Sequence, residues 1–297
     1  MKHIFVINPV AGFENAVIKL SKLLEGYKSK YDILIHVTTR EKDAREFSYE
    51  YATTHPNEEI RFYSCGGDGT LGEVVNGIVG LENASITCFP CGSGNDFVKS
   101  VGGKERFLDL DKLFNAKNHK IDLIKVNDYY SLNVTNVGLD ARACKFANAL
   151  KGKTKNPYTL GIIRALFTGL TTDITIEVDG EVINPCGKLT LTTFANGGYM
   201  GGKYFCAPNY KVDDGIIEFC YISPVSIITL ARLIKKYEKG KHLEDKSFEK
   251  YLTYKQIKSA RLYSNKEFDL CVDGEMFVGK EFSVEIVSGA INFALPE

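Results

Sequence analysis

The chain has 297 residues, 44% of them hydrophobic and 25% charged, with 37 Lys plus Arg against 37 Asp plus Glu and a formal net charge of zero. This is ordinary globular material, enough for two medium-sized cores. The charge balance argues against nucleic acid as a partner, and no stretch approaches the ~20 apolar residues of a membrane span.

"HIFVINP" predicts a first strand, ended by Asn8-Pro9. Its apolar run is too short for the core of a signal peptide, so a cytoplasmic protein is expected. "ENAVIKLSKLLEGY" predicts a helix, with Val17, Leu20, Leu23 and Leu24 at helical spacing. "YDILIHVTT" then reads as a strand, "REKDAREFSYEYATTH" as a polar-faced helix and "IRFYSC" as a strand. "TLGEVVNGIVG" reads as a short helix and "ASITCFP" as a strand. Such β-α repetition predicts a parallel sheet covered by helices, whose ligands lie beyond the carboxyl ends of the strands. Three strands run into turns rich in Gly or Asn: Asn8-Pro9-Val10-Ala11-Gly12, Gly66-Gly67-Asp68-Gly69-Thr70 and Gly92-Ser93-Gly94-Asn95-Asp96. Three such loops on one rim make one site.

After about residue 120 the pattern changes. "KIDLIKV", "YYSLNVTNVG", "DITIEVDGEVI", "KLTLTTFANGG", "GIIEFCYI", "SARLYS", "FDLCVDGEMFVG" and "FSVEIVSG" are short strand-like runs at close spacing, two of them carrying Asp-Gly turns. This predicts an antiparallel sandwich or barrel-like domain, with helices at about 155–170 and 224–240. Several of the eight cysteines (Cys65, Cys88, Cys220, Cys271) sit in apolar runs and read as reduced core residues. Cys88-x-x-Cys91 lacks the second pair or His cluster of a metal site.

Gly67-x-Gly69-x-x-Gly72 matches a dinucleotide fingerprint in form. That fingerprint needs an acid near the end of the next strand to hold a ribose, and "ITCFPCGSG" has none. The acid lies in the loop instead, at Asp68, where it would repel a bare diphosphate but suits one whose charge Mg²⁺ and its waters screen. The loop therefore reads as a cradle for a metal–nucleoside triphosphate, with Thr70 capping the helix that follows. Asp68, between two glycines, is expected to be exposed and structurally cheap to remove. The plain alternative is a strand-to-helix turn without a ligand.

Together these loops, with Phe97 after Asp96 and with "NVTNVGLDA", "APNYKVDDGIIEF" and "CVDGE" following in order, resemble the diacylglycerol/sphingosine-type lipid kinase family, in particular its soluble bacterial members. The resemblance covers nearly the whole chain. It implies an ATP-binding α/β domain over 1–122 with a C-terminal return at 287–297, a β-sandwich lipid-substrate domain over 123–286, and an ATP cleft between them. It implies ATP and Mg²⁺ as cofactors, bound through Asn8, Pro9, Ala11, Gly12, Thr38, Thr39, Gly66, Gly67, Asp68, Gly69, Thr70, Glu73, Gly92, Ser93, Gly94 and Asn95. Thr38 and Thr39 serve equally as a helix-start signal. The family's catalytic base maps to Asp273, with Glu275 two residues on and facing the same side if the segment is extended. Asp273→Asn is then expected to keep the fold and lose turnover. A structural Mg²⁺ maps to Asp214, with main-chain oxygens near Lys211 and Ile216, and the alternative there is a plain β-turn. The chain departs from the commoner bacterial pattern at Gly72, where Asn is usual, and at Ser93, where Thr is usual.

The activity implied is phosphorylation of a hydroxyl of diacylglycerol or a similar lipid, by a protein that visits the inner membrane face peripherally. A soluble-substrate kinase of the NAD-kinase type and a nucleotide-binding sensor without catalysis are the alternatives. "LGIIRALFTGL" and "PVSIITLARLIKKYEKGKH" are apolar and basic. They read either as helices covering the sandwich or as an anionic-interface contact. The sequence does not set the oligomeric state, and a homodimer is kept open.

Overall fold

The computed structural model describes residues 1–12, 16–150, 154 and 157–297. By internal contacts it divides into unit 1, Met1–Asp122 with Ser288–Glu297, and unit 2, Leu123–Val287.

Unit 1 alternates β1 (Lys2–Ile7), α1 (Ala16–Glu25), β2 (Asp32–Val37), α2 (Asp43–Thr54), β3 (Ile60–Gly66), α3 (Asp68–Ile78) and β4 (Ala84–Pro90), then adds α4 (Asp96–Ser100) and α5 (Leu110–Phe114). The predicted parallel sheet forms, in the order β4-β3-β1-β2. Ile4, Phe5, Val6 and Ile7 of β1 are all fully buried, as a strand covered on both faces requires. β2 lies on one side of β1 and β3 on the other, so the winding reverses between β1 and β3. Crevices form outside the carboxyl ends of strands at such a reversal. α2 begins at Asp43, three residues later than predicted, and α3 at Asp68, two residues earlier. Glu14 and Asn15, at the start of the first predicted helix, lie outside the described residues, as do 155 and 156.

From β5 (Lys117–Val126) the chain enters unit 2: β6 (Tyr129–Ser131), β7 (Val134–Gly138), α6 (Leu139–Leu150) and α7 (Pro157–Leu166). Short strands β8 (Thr172–Asp173), β9 (Thr175–Val178), β10 (Glu181–Val182) and β11 (Lys188–Leu189) follow. β12 (Leu191–Ala195), β13 (Tyr199–Met200), β14 (Tyr204–Phe205), β15 (Ile217–Ile222), α8 (Ile227–Tyr237), β16 (Leu252–Ile257), β17 (Ser259–Val272) and β18 (Glu275–Leu295) complete the series. β16, β15, β12, β7 and β17 pair antiparallel in that order. β17 changes register between Tyr263 and Phe268. Its first half pairs β9 and its second half β7, so one strand serves both layers of a sandwich by bending at an irregularity.

Residues alternate along β15. Ile217, Phe219 and Tyr221 join the core between the layers, while Cys220 and Ile222 join a second apolar cluster with residues of α6, α7 and α8. The helices expected near 155–170 and 224–240 are thus α7 and α8, and both cover the sandwich. α6 was not anticipated, although Leu139, Ala143 and Ala147 recur at intervals of four and are buried. All eight cysteines are free and seven are buried. Among the described residues no helix is long and apolar enough to cross a membrane.

β18 leaves unit 2 and ends in unit 1, where Phe293 pairs in parallel with Ile86 of β4. Asp122 accepts from Gly289 N at 2.7 Å, and Arg106 donates to Pro296 O, which fixes this return.

Candidate active site

The three loops at the carboxyl rim of unit 1 meet backbone to backbone. Gly66 O accepts from both Cys91 N, at 2.8 Å, and Gly92 N, at 3.0 Å. A Cβ on Gly92 would stand 2.4 Å from Gly67 Cα, and one on Gly12, which has φ +67°, 1.7 Å from Cys91 O. No side chain fits at either position, so these glycines set the approach of loop to loop. Asn8 ties the first loop to the second: its N donates to Cys65 O at 3.0 Å and its Nδ2 to Thr70 Oγ1 at 3.0 Å. Pro9, Ala11 and Ser93 lie at or near the surface of this rim.

Thr70 does not cap α3. The cap position is Gly67, with no side-chain hydrogen bond, and Thr70 sits three residues inside. The helix therefore presents its first turn of N–H groups without a side-chain cap, an arrangement suited to a phosphate oxygen.

Asp68 is not a free loop carboxylate. It is half-buried, and Oδ1 accepts from Asp96 N at 2.7 Å and Phe97 N at 3.4 Å, binding the start of α4. Oδ2 faces Gly94, where a Cβ would come within 3.0 Å of it. Asn95 holds the left-handed φ of +48° and donates from Nδ2 to Gly92 O at 2.6 Å. The expectation that Asp68 is exposed and cheap to remove fails, because the carboxylate joins two of the three loops.

Glu73, on α3, and Thr39 both bind the start of α2, whereas Thr38 bonds back to β1. Glu73 accepts from Lys42 N at 3.0 Å and Ala44 N at 3.2 Å, where Lys42 has φ +66°. Thr39 donates from N at 2.6 Å and from Oγ1 at 2.9 Å to Asp43 Oδ2. Thr38 N donates to Ile7 O at 2.9 Å. The helix-start reading thus describes the local bonding of Thr39.

In unit 2, Asp273 and Gly274 form the hairpin turn between β17 and β18, with φ +48° and +95°. Asp273 and Glu275 therefore do not share one extended segment; Glu275 opens β18 and is exposed. The Asp273 carboxylate sits among donors. Ser131 Oγ (2.9 Å), Leu132 N (2.6 Å), Asn133 N (3.1 Å) and Val134 N (2.8 Å) all donate to it. Burial pushes its pKa up and these hydrogen bonds pull it down; the net direction is up.

At the Asp214-Gly215 turn, Asp214 Oδ1 accepts from Ile216 N at 3.1 Å. This Asx turn is the bond that a plain β-turn makes, the alternative reading of this stretch. Among the described residues no three His, Cys, Asp or Glu side chains converge as a metal cluster.

Asp140 lies in the "NVTNVGLDA" stretch, where the sequence pattern assigns it no role. It is 8% exposed in the first turn of α6, and its Oδ2 has no hydrogen-bond partner among the described residues. Burial raises its pKa to about 7 against the opposing pull of Arg142. It lines a cavity of about 20 Å³ with Tyr158, Ile162, Met200, Tyr204 and Tyr237, room for roughly one water.

Family models describe both halves of the chain. Residues 2–126 match the diacylglycerol kinase catalytic domain, and residues 133–295 match the YegS C-terminal NAD kinase beta sandwich-like domain. A diacylglycerol kinase of Bacillus subtilis (strain 168) is 26% identical over 279 residues, covering 91% of this chain and 88% of that protein. A diacylglycerol kinase of Staphylococcus aureus (strain bovine RF122 / ET3-1) is 26% identical over 285 residues, covering 91% and 84%. A crystal structure from Bacillus anthracis str. Sterne, provisionally described as a diacylglycerol kinase, aligns with a TM-score of 0.77 at 25% identity over 99% of this chain and 96% of that one.

Proposed function

The chain belongs to the diacylglycerol kinase family of lipid kinases, and from that premise we propose that it transfers a phosphoryl group from ATP, with Mg²⁺, to a hydroxyl of diacylglycerol or a similar lipid. One observation carries the reading. At the point where the sheet's winding reverses, three strand ends are held by glycine contacts that leave no room for a Cβ, beside the uncapped start of α3. Backbone N–H groups so arranged suit phosphate oxygens.

In this reading Gly66–Thr70 and Gly92–Asn95 hold the nucleotide's phosphates, and Asn8 and Asp68 keep the loops in register. Mg²⁺, when bound, neutralises phosphate charge. Asp68, Glu73 and Thr39 act by fixing the segments around the cradle, as their hydrogen bonds suggest. Asp214 would be the carboxylate to hold a structural Mg²⁺ in unit 2, where oxygen ligands suit that cation.

For the proton of the acceptor hydroxyl we assign Asp273. Burial raises its pKa above the ordinary carboxylate range, the direction that makes a carboxylate the better proton acceptor. Of its four donors only Ser131 Oγ is a side chain and can rotate away, so that hydrogen bond is the one a substrate hydroxyl would replace.

The test is incubation with labelled ATP, Mg²⁺ and a panel of dispersed lipids, with NAD as a soluble competitor acceptor. Label in phosphatidic acid or a related phospholipid supports the reading. Label in NAD alone, or in no acceptor, removes it.

A further inference from the structure

Cys144 of α6 and Cys271 of β17 are 8% and 2% exposed and pack together in a small cluster with Ala141. Their thiols share a hydrogen bond, and both reach the main chain of Gly274. Cys144 Sγ donates to Gly274 O at 3.6 Å, and Asn148 Nδ2, one turn further along α6, donates to the same oxygen at 2.9 Å. Gly274 follows Asp273, and Cys271 precedes it by two residues. The two sulfurs thus lie against the turn that presents the assigned base.

Other thiols are placed differently. Cys65, Cys186 and Cys206 donate to main-chain oxygens, at Tyr63, Lys188 and Gly198. A buried thiol that only packs is inert. Two thiols in contact, brought together from distant parts of the chain where α6 packs on β17, are a dithiol, and bridging them asks little of the backbone.

Burial selects the oxidant. A bulky disulfide cannot reach sulfurs this enclosed, whereas hydrogen peroxide is little larger than water. Cys144, the more exposed of the two, meets it first. The hydrogen bond with Cys144, together with burial, raises the pKa of the Cys271 thiol. Cys271 therefore keeps its proton and acts second.

We propose that Cys144 and Cys271 are a site of reversible oxidation, at which a small peroxide closes a disulfide between α6 and the strand that leads to Asp273. The Cys144 thiolate attacks one peroxide oxygen. The O–O bond breaks, the second oxygen leaves with the electron pair and a proton as water, and Cys144 becomes a sulfenic acid. The Cys271 sulfur then attacks the sulfenic sulfur. The S–O bond breaks as the S–S bond forms, and the departing hydroxide takes the Cys271 proton as a second water. Two thiols lose two electrons and two protons, and the peroxide gains them. A reducing thiol pool reverses the change by exchange. The disulfide removes the hydrogen that Cys144 donates to Gly274 O and draws β17 towards α6, so the Asp273 carboxylate shifts against its donors at Ser131 to Val134. A displaced base loses turnover. That consequence rests on the lipid-kinase reading, whereas the pairing of the thiols does not.

The test compares Cys186→Ser, which removes an exposed thiol, with Cys186→Ser/Cys144→Ser, each treated with hydrogen peroxide and quenched with catalase. The first protein should lose two hydrogen atoms by intact mass and yield a linked Cys144–Cys271 peptide without reduction. It should melt at a higher temperature, because the closed loop restricts the unfolded chain, and lose roughly tenfold in turnover. Dithiothreitol should restore mass, melting temperature and turnover. The second protein should keep its turnover throughout. Ordinary oxidative damage, a sulfoxide at Met276 included, adds oxygen instead and does not raise the melting temperature. A peptide map in which Cys271 pairs elsewhere, or stays a thiol once Cys144 is oxidised, overturns the proposal. So does a linked pair that changes neither melting temperature nor turnover, or an equal loss of turnover in the second protein. If the linked pair forms and raises the melting temperature, yet the reduced protein phosphorylates no lipid, the oxidation site stands and the kinase reading fails.

Discussion

Two Asp-Gly turns share one backbone. Asp179-Gly180 has φ +46° and +88°, and Asp273-Gly274 has +48° and +95°, the left-handed pair that a two-residue hairpin demands. Both carboxylates accept hydrogen bonds from a distant segment. Asp179 Oδ1 takes Lys258 N at 3.2 Å and Ser259 N at 2.9 Å, while Asp273 takes three consecutive N–H groups and a hydroxyl. The difference is water. Asp179 is exposed, whereas Asp273 is half-buried among buried donors and its pKa is raised. The local sequence chooses the turn, and the packing around it decides whether the carboxylate becomes chemically distinctive. Asp140 extends the comparison as an acid that is buried without such donors.

The comparison is broken most severely by Asp273→Ala. Four enclosed donors lose their acceptor, so stability should fall by about 4 kcal/mol, and turnover by roughly 10²–10⁴ if the carboxylate is the base. Asp273→Asn is no longer expected to keep the fold untouched, because its amide NH₂ would face donors. Urea midpoints and single-turnover rates check both variants; an Asn variant as stable as wild type would mean that the donors do not hold the carboxylate as described.

Asp140→Asn tests burial without donors. The folded pKa of about 7 lies above the ordinary 3.8, so the protonated acid favours the fold. That contribution is full below about pH 4, is lost as pH rises towards 7, and is absent above. Relative to the Asn variant, which shares every other titrating group, the wild type should therefore lose about 4 kcal/mol across this window, leaving the Asn variant the more stable of the two at pH 8. Urea midpoints at pH 4, 6 and 8 measure it, and parallel curves for the two proteins would refute the assignment.

Asp68→Ala removes a carboxylate that joins two loops through backbone N–H groups, a milder version of the Asp273 arrangement. Stability should fall by about 1 kcal/mol, the usual loss for a helix cap, and ATP should bind more weakly by isothermal titration. Asp179→Ala should cost about 1 kcal/mol, from a left-handed φ that Ala adopts less readily and N–H groups left to water. A loss as large as that of Asp273→Ala in a thermal melt would show that exposure is not what separates the turns.

The glycine rim was legible because glycine marks by its residue type a place where backbones approach closely, even though the segments that Gly12 and Gly92 meet, at Cys91 and Gly67, lie far off in sequence. The bonding of Asp68, Glu73 and Asp273 was hidden because their partners lie 28, about 30 and about 140 residues away in sequence. Asp140 falls where the sequence pattern showed strand rather than helix, and only the packing of α6 beneath α7 and α8 buries it. α6 itself was missed because short Ala and Cys side chains give a weak periodic signal next to the strand residues before it. Both Asp-Gly turns were legible as turns, and neither sequence distinguishes the half-buried member from the exposed one.

β18 gives unit 1 an unusual timetable. The residues that pair with β4, around Phe293, follow the whole of unit 2 in the chain. As the protein emerges from the ribosome, β1 to β4 appear first, yet the outer edge of β4 stays bare until that distant segment arrives. A bare edge invites pairing with other chains. Aggregation of this protein is thus a hazard of the interval during synthesis, and chains stalled before residue 288 should recruit chaperones and expose unit 1 to proteases while unit 2 is already resistant.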